Sequence, residues 1–253
     1  MNDLELAVEP DGGNAAAFFR NQDPGNYEIY AVRFAVSSFG EADIAAPVRL
    51  THAIGFSGYP SAAAVEGFYA VAWEDDRDGN KEVYFNTVDY LTMLPGDERR
   101  ITFAPGDSRY PSVAGLPGGF AVSWIDEGMG SYNVMAAQLD AFGDPVGFPL
   151  AMTGAPGAAA YASIAPDSRD PGFSIQALIV YAAAGIEEKE LYLTAVGAQS
   201  PEIQPGSRIH STRFAIEKPV LSGSGNSRAL TWIERSYSAS DLYFLALGCV
   251  PPA

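Results

Sequence analysis

The sequence predicts an all-β fold made of five tandem repeats, and three observations support this prediction. Gly (26), Pro (18), Tyr (13) and Phe (14) are plentiful, which is typical of short strands joined by tight turns. Hydrophobic residues fill 47% of the 253 positions and charged residues only 18%, so the chain can bury a large core. An aromatic residue, a polar turn and a second apolar segment recur along the whole chain with a nearly constant period.

The repeat is defined by a pair of large apolar residues eleven positions apart. The pairs are Phe19 and Tyr30, Trp73 and Tyr84, Trp124 and Met135, Tyr181 and Tyr192, and Trp232 and Tyr243. Successive first members are separated by 54, 51, 57 and 51 residues, which is the period of a propeller blade. A second marker opens the later repeats, as Tyr59-Pro60-Ser61, Tyr110-Pro111-Ser112, Tyr161-Ala162-Ser163 and Lys218-Pro219-Val220.

Each repeat can be divided into four strands, A to D. In the second repeat the predicted strands are Ser61–Val65, Phe68–Trp73, Glu82–Val88 and Arg99–Phe103, with a turn rich in Asp, Gly and Asn at Asp75–Asn80. The A strands consist of small residues, whereas the B and C strands carry the aromatic ones. Small side chains fit where strands crowd around an axis, and large rings fill the widening wedge outside. The sequence therefore predicts a five-bladed β-propeller with four-stranded blades.

We expect one domain, with blades at about 4–58, 59–109, 110–160, 161–217 and 218–253. The fifth repeat reaches its C strand at Asp241–Leu247, and only six residues follow, which are too few for a D strand. Two explanations stay open. Either the outermost strand of blade five is missing, or the chain is a piece of a longer protein.

The segment from Trp73 to Tyr84 resembles the repeat of TolB-like propellers and related blades of bacterial secreted and surface proteins. It has an aromatic residue, acidic residues, an Arg-x-Gly turn at Arg77–Gly79 and a closing aliphatic–Tyr pair. The segment from Phe19 to Tyr30 shares part of this pattern. The resemblance implies protein or glycan binding at a propeller face, and it implies no catalytic residues.

Charge and composition narrow the classes of partner and the location. The net charge of −16 disfavours nucleic acid, and the chain has no apolar run long enough to span a bilayer. Cys249 is the only cysteine, so no internal disulfide is predicted. The segment Met1–Glu5 is not a signal peptide, which fits either a cytoplasmic protein or a mature exported one. With the family resemblance, we expect an extracellular, periplasmic or cell-surface monomer.

The candidate ligand-binding residues lie in the loops of one face. In a four-stranded blade the B–C turns and D–A connections emerge on the same side of the disc, where acidity could attract cations or a basic partner. The candidates are Asp75, Asp76, Asp78, Asp126 and Glu127 in B–C turns, and Asp107 and Arg109 in a D–A connection. Further B–C acids are Asp23, Glu187, Glu188 and Glu234. The alternative is that these turns are polar only because they are solvated.

A calcium site is a further hypothesis. Asp76, Asp78, Asn80 and Glu82 place oxygens at alternate positions around a glycine, as calcium loops do. The segment lacks the length and the distal bidentate Glu of an EF-hand, and the same string is typical of a hairpin turn. No other cofactor is indicated.

Other recurrent residues are predicted to be structural. The position two before the C-strand aromatic residue is always polar (Glu28, Glu82, Asn133, Glu190, Asp241), which favours a hydrogen bond to a turn. Trp73, Trp124 and Trp232 are predicted to pack between blades rather than to stack on sugars. The two histidines, His52 and His210, fall at different offsets in their repeats and are expected to be solvated.

Three functions are compatible with these patterns. The first hypothesis is a non-catalytic binding module of an exported bacterial protein, with a protein or glycan ligand at the acidic loop face or the channel mouth. The second is a five-bladed glycoside hydrolase, with Glu5 or Glu9 on the first A strand acting with Asp75 and Asp126. The third is a structural spacer of a longer surface protein.

Overall fold

The computed structural model describes residues 4–9, 15–22, 25–37, 40–128, 131–153, 159–166, 175–185, 188–197, 206–224 and 227–248. In these ranges the chain forms twenty β-strands and no helix, so the all-β prediction is confirmed. The strands form five antiparallel sheets that follow one another along the chain. No helix among the described residues is long and apolar enough to cross a membrane.

Each sheet is one blade, and its strands follow chain order from the axis outward. Blade 1 contains β1 (Leu4–Val8), β2 (Ala15–Gln22), β3 (Tyr27–Val36) and a split outer strand, β4 (Ala42–Ile44) and β5 (Val48–Arg49). Blade 2 contains β6 (Ser57–Val65), β7 (Phe68–Asp75), β8 (Glu82–Asp89) and β9 (Arg99–Arg100). Blade 3 contains β10 (Ser108–Leu116), β11 (Gly119–Asp126), β12 (Asn133–Asp140) and β13 (Pro145–Ala151).

The last two blades differ in strand number. Blade 4 contains β14 (Ala159–Pro166), β15 (Ile175–Ala184), β16 (Lys189–Gly197) and β17 (Ser207–Thr212). Blade 5 contains only β18 (Ala215–Ser224), β19 (Ser227–Arg235) and β20 (Ser240–Gly248) among the described residues. The five-bladed propeller with an incomplete last blade is therefore confirmed.

The eleven-residue spacing is the register of the B–C hairpin. In every blade the two members of the pair lie directly opposite each other, as Phe19↔Tyr30, Trp73↔Tyr84, Trp124↔Met135, Tyr181↔Tyr192 and Trp232↔Tyr243. In four blades the pair stacks, with ring centroids 5.3–6.0 Å apart. Cross-strand aromatic pairs of this kind stabilise a sheet and fix its register.

The hydrophobic core consists of four clusters, each shared by two consecutive blades. Trp73 packs on blade 1, Trp124 on blade 2, Tyr181 on blade 3 and Trp232 on blade 4. All four side chains are buried. The predicted role of the tryptophans in packing between blades is confirmed, because each fills the wedge toward the preceding blade.

The interface between blades 5 and 1 is different. Ile29, Val83, Val134 and Leu191 precede the C-strand residue of the pair, face the next blade and are 0% exposed. Their counterpart in blade 5, Leu242, is 75% exposed. On β1, Leu4, Leu6 and Val8 are exposed as well. Within the described ranges no hydrophobic cluster joins blade 5 to blade 1, so four interfaces bury the apolar surface and the fifth leaves it open.

The five A strands surround a central axis. A cavity of about 150 Å³ on this axis is lined by residues from all five of them. We call the first member of each eleven-residue pair, which lies on strand B, the B-strand anchor. The residue just before the anchor pairs with one residue of strand A. In blades 1 to 5 this A-strand residue is Glu5, Ser61, Ser112, Ser163 and Val220. This position faces the cavity in every blade.

The serines at this position join neighbouring blades. The backbone N–H of Val113 donates to Ser61 Oγ (3.1 Å), that of Ile164 to Ser112 Oγ (3.2 Å), and that of Leu221 to Ser163 Oγ (3.1 Å). Small size was the predicted reason for these residues. The structure adds a second one, because each hydroxyl satisfies a backbone donor of the next blade.

A bulge interrupts four of the A strands just before this position. In blade 2 it lies between Gly58 and Ser61, and it extends the observed strand to Ser57–Val65, beyond the predicted Ser61–Val65. Tyr59, Tyr110 and Lys218 adopt left-handed backbone angles there, with φ of 52°, 57° and 49°. Such conformations are strained for residues other than glycine, and bulges commonly re-aim a side chain. These three side chains all line the axial cavity.

Candidate functional site

Glu5 is the acidic group of the axial cavity. It takes the place that serine holds in blades 2 to 4, and it is the one carboxylate among the described residues that line this cavity. Burial raises the pKa of Glu5 to about 7. A carboxyl group with this pKa is protonated in a large fraction of molecules at neutral pH, as a general acid must be.

Three tyrosines form an aromatic collar around the axis. Tyr59, Tyr110 and Tyr161 occupy corresponding positions in blades 2 to 4 and all line the axial cavity. The rings of Tyr59 and Tyr110 meet edge to face, with centroids 5.4 Å apart. Burial raises the pKa of Tyr110 and of Tyr161, so both hydroxyls stay protonated and can donate hydrogen bonds.

A second, larger cavity opens beside the collar between blades 3, 4 and 5. This lateral pocket has a volume of about 470 Å³ and shares Tyr110 and Tyr161 with the axial cavity. Its remaining polar wall contains Arg109, Tyr132, Lys189 and Glu217, and alanines supply much of its floor. The volume lies in the range of small-molecule sites. We call the axial cavity and the lateral pocket together the channel mouth.

A buried carboxylate, Glu74, supports the collar from behind. Its Oε1 accepts the backbone N–H of Tyr110 at 2.8 Å, and its Oε2 lies 3.1 Å from Lys81 Nζ. Burial raises the pKa of Glu74, and Lys81, the Tyr110 N–H and Arg109 oppose this effect. Sequence reasoning missed Glu74. A signal existed, because the residue after the B-strand anchor is Ile125, Ala182 or Ile233 in the later blades.

Arg109 is the predicted ligand-face residue that lines one of the two cavities. Its guanidinium lies over the Tyr110 ring at 4.7 Å. Its Nε is buried and has no hydrogen-bond partner among the described residues, and Glu74 Oε2 is 3.8 Å away. Arg109 lines the lateral pocket, so its guanidinium is a candidate contact for a ligand there.

Asp75 and Asp126 are occupied by contacts inside their own blades. Asp75 is fully buried and accepts Ser57 Oγ (2.9 Å) and the Trp73 indole N–H (3.0 Å). Asp126 accepts Ser108 Oγ (2.8 Å) and the Trp124 indole N–H (3.3 Å). The structure therefore does not bring either residue into the channel mouth, and their role in ligand binding stays a prediction.

The other predicted ligand-face residues lie in adjoining loops. Asp76 Oδ1 accepts the N–H of Phe56 at 2.7 Å, and Asp107 Oδ1 accepts that of Lys81 at 3.0 Å. Asp78 pairs with Arg100 at 2.9 Å, and Glu127 is exposed. B–C turns and D–A connections are thus neighbours, while Asp23 and Glu187 lie outside the described residues.

Two of the calcium candidates, Asp78 and Glu82, both bind the guanidinium of Arg100 at 2.9 Å. Asn80 Nδ2 donates to Glu82 and to the carbonyls of Ala104 and Gly106. Glu82 also binds Arg100 Nη2 (2.9 Å) and the Thr102 hydroxyl. No group of three or more His, Cys, Asp or Glu side chains that could hold a metal ion occurs in the described ranges. The oxygens of this loop are used by nitrogen and hydroxyl donors of the protein.

The recurrent polar residue before the C-strand aromatic residue has a structural role, as predicted. Glu28 pairs with Arg49 (2.6 Å), Glu82 with Arg100 (2.9 Å) and Glu190 with Arg208 (2.8 Å). The partners all come from the outer strand of the same blade. This carboxylate therefore fastens strand D to strand C.

The two histidines differ in environment. His52 is exposed, as expected. The expectation was wrong for His210, whose Nε2 lies 2.6 Å from Glu234 Oε1 and whose ring packs against Trp232 at 5.2 Å. Glu234 also accepts the Trp232 indole N–H at 3.1 Å. These contacts place His210 at the packing interface of blades 4 and 5.

Comparison with known proteins supports the propeller fold and assigns no family. No family model matches the chain. No curated protein matches it either. A solved structure titled GH43 endo-arabinanase from Bacillus licheniformis is similar over 99% of this chain and 95% of that one, with 13% identity and a TM-score of 0.53.

Two further solved structures extend this likeness. The catalytic domain of Coprinopsis cinerea GH62 α-L-arabinofuranosidase matches 97% of this chain and 90% of that one, with 12% identity and a TM-score of 0.52. Trypanosoma rangeli sialidase matches 96% of this chain but only 44% of its own, with 11% identity and a TM-score of 0.58. At such identities the likeness shows the propeller fold alone. The titles of these neighbours name glycoside hydrolases and a sialidase rather than TolB-like propellers, so the part of the TolB resemblance that is supported is the five-bladed propeller architecture.

Proposed function

We propose that the protein is a glycoside hydrolase that acts at the channel mouth, with Glu5 as its general acid. The observation that carries this proposal is the pKa of about 7 that burial gives Glu5, in a cavity reached by all five blades. The fold likeness adds support, since the titles of the neighbours name an endo-arabinanase, an arabinofuranosidase and a sialidase. This assignment favours the second sequence-based hypothesis over the first.

The chemistry needs a proton donor and a base. Protonated Glu5 donates its proton to the glycosidic oxygen as the bond from that oxygen to the anomeric carbon breaks. The base takes a proton from the water that adds to the anomeric carbon, and proton exchange with solvent then returns Glu5 to its acid form and the base to its carboxylate form. One water is consumed for each bond broken.

Glu217 is our candidate for the second carboxylate. It is the carboxylate that lines the lateral pocket among the described residues, and it lies 3.0 Å from Arg235. The ion pair with Arg235 fixes the position of this carboxylate at the pocket wall. Glu217 and Tyr161 both line this pocket.

The test is a panel of aryl glycosides and polysaccharides with the wild type and three variants. Glu5→Gln and Glu217→Gln should each lower the turnover of any cleaved substrate by about 100-fold or more. Glu41→Gln, at an exposed position of blade 1, is the matched control and should be neutral. Full activity of Glu5→Gln, or no cleavage in the whole panel, would contradict the proposal.

A second candidate function is glycan binding without turnover. One observation favours it: Asp75 and Asp126 accept hydrogen bonds from serine and tryptophan side chains of their own blades. The axial cavity is thereby left with Glu5 as its carboxylate. Binding of a saccharide to the wild type with no product over long incubation would support this candidate instead.

A further inference from the structure

The three lysines of the chain have an unusual distribution. The protein has 31 acidic residues and a net charge of −16, yet Lys189 and Lys218 line the channel mouth and Lys81 lies beside the tyrosine collar. Lys218 lines the axial cavity and Lys189 lines the lateral pocket. Lys81 Nζ is 5.8 Å from the ring centre of Tyr59. A random placement on so acidic a surface would scatter them.

Two arginines add to this cationic group. Arg109 lines the lateral pocket, and the guanidinium of Arg20 lies 5.3 Å from the ring centre of Tyr59. The collar tyrosines thus lie among cations from all five blades. Cation–π contact holds these side chains beside the cavity.

The carboxylates of the wall do not cancel this charge. Glu74 is shared by Lys81 at 3.1 Å and Arg109 at 3.8 Å, so one carboxylate faces two cations, and Glu217 is paired with Arg235. No ion pair joins Lys189 or Lys218 to a carboxylate among the described residues. Positive charge therefore remains on Lys189 and Lys218, and Lys81 and Arg109 together exceed the single charge of Glu74, beside a concave surface that focuses the field. The charge at the channel mouth is therefore positive, whereas the loop sequences predict a negatively charged face.

The same walls suit a sugar ring. Tyr110, Tyr132 and Tyr161 present flat amphipathic rings in the lateral pocket, and alanines leave room between them. Apolar walls with a few convergent polar groups are typical of small-molecule sites. Ring-stacking surface and unbalanced positive charge occur together at this place.

We propose that the channel mouth recognises a saccharide that carries a carboxylate, such as a uronic acid residue. The carboxylate binds to Lys189 and Arg109, and the sugar ring stacks in the tyrosine-walled pocket. The choice of a saccharide rests on the proposed function. The choice of an anion rests on the cations and is independent of it.

The test measures binding by calorimetry in the Glu5→Gln variant, so that the ligand is not consumed. An oligogalacturonate and the neutral galacto-oligosaccharide of the same linkage and length are compared. The uronate should bind at least about tenfold more tightly, and added salt should reduce the difference. Lys189→Gln, at an exposed position, should lower uronate affinity several-fold and leave neutral binding unchanged.

Controls separate the two proposals. Arg33→Gln, on strand β3 away from the channel mouth, should not change either affinity, and Arg109→Gln should lower the uronate affinity several-fold. Equal affinity for the two oligosaccharides, or no effect of Lys189→Gln, would overturn the anion proposal even if neutral glycosides are cleaved. If the wild type bound the uronate tightly but cleaved none of the substrates, the hydrolase proposal would be wrong and the anion-binding proposal would stand. Acetate and inorganic phosphate, measured alone, should bind far more weakly than the uronate. If either bound as tightly as the uronate, the sugar ring would make no contribution to binding.

Discussion

Blade 2 and blade 5 are copies of one repeat, but the C strand is buried in blade 2 and exposed in blade 5. In blade 2, Val83 and Tyr84 on the C strand are 0% and 7% exposed. The corresponding residues of blade 5, Leu242 and Tyr243, are 75% and 38% exposed. The register of the B–C hairpin is the same in both blades, so it does not depend on whether the C strand is buried.

The comparison shows what the outer strand contributes. In blade 2, Arg100 and Thr102 bind the buried Glu82, and the Thr102 hydroxyl also accepts the N–H of Val83 at 2.8 Å. The predicted strand Arg99–Phe103 is shortened to Arg99–Arg100 for this reason, because a side chain replaces the next ladder bond. In blade 5 the corresponding acid, Asp241, is exposed. A buried carboxylate and the strand that neutralises it therefore occur together.

The largest expected effect concerns the anchor of the complete blade. Trp73→Ala removes a buried ring and the donor to the buried Asp75, and should lower the free energy of unfolding by about 3–5 kcal/mol. Tyr243→Ala in blade 5 should cost less than about 2 kcal/mol because its ring is partly solvated. Urea unfolding of both variants checks this. Equal losses would mean that blade 5 is covered in solution.

The next effect concerns the outer-strand ion pair. Arg100→Gln leaves the buried Glu82 without its cation and should cost roughly 2–3 kcal/mol, below a fully buried pair since Arg100 is 26% exposed. Asp241→Asn is the matched change in blade 5 and should stay within about 0.5 kcal/mol. The double variant Glu82→Gln, Arg100→Gln should recover part of the loss. No recovery would show that Arg100 acts through packing alone.

The third effect depends on pH. Folding raises the pKa of Glu5 from 4.5 to about 7, so between these values the folded state keeps a proton that the unfolded chain releases. Stability from this group is complete below pH 4.5 and is lost as the pH rises toward 7. Glu5→Gln should match the wild type near pH 4 and exceed its stability at pH 8, by roughly 1–3 kcal/mol. A pH-independent difference would contradict this.

The smallest effect concerns the open interface. Leu242→Ser should change the free energy of unfolding by less than about 0.5 kcal/mol, since the side chain is already in solvent. Val83→Ser, at the corresponding position of blade 2, should cost more than about 2 kcal/mol. A large loss for Leu242→Ser would indicate that blades 5 and 1 pack together in solution.

The architecture could be predicted because it repeats. The pairs beginning at Phe19 and Trp73 predicted the register of the B–C hairpins, and the short fifth repeat predicted a last blade of three strands. The open interface could not be predicted, because Leu242 has the same apolar character as the buried Val83. Its exposure depends on how the first and last blades approach each other.

The site was predictable only in part. Glu5 was among the candidates because it departs from the small residues of the other A strands. Asp75 and Asp126 were assigned to the ligand face from topology alone, which cannot show that the tryptophan two residues earlier uses their oxygens. The cationic mouth was missed because Lys81, Lys189 and Lys218 lie at unrelated positions of the sequence.

The most direct test of the account is the pKa of Glu5 itself. It can be measured by carbon-detected NMR of the side-chain carboxyl group, assigned by the signal that Glu5→Gln removes. The account predicts a titration midpoint near 7 in the folded protein. A midpoint near the ordinary value of 4.5 would show a solvated carboxylate that cannot act as the acid.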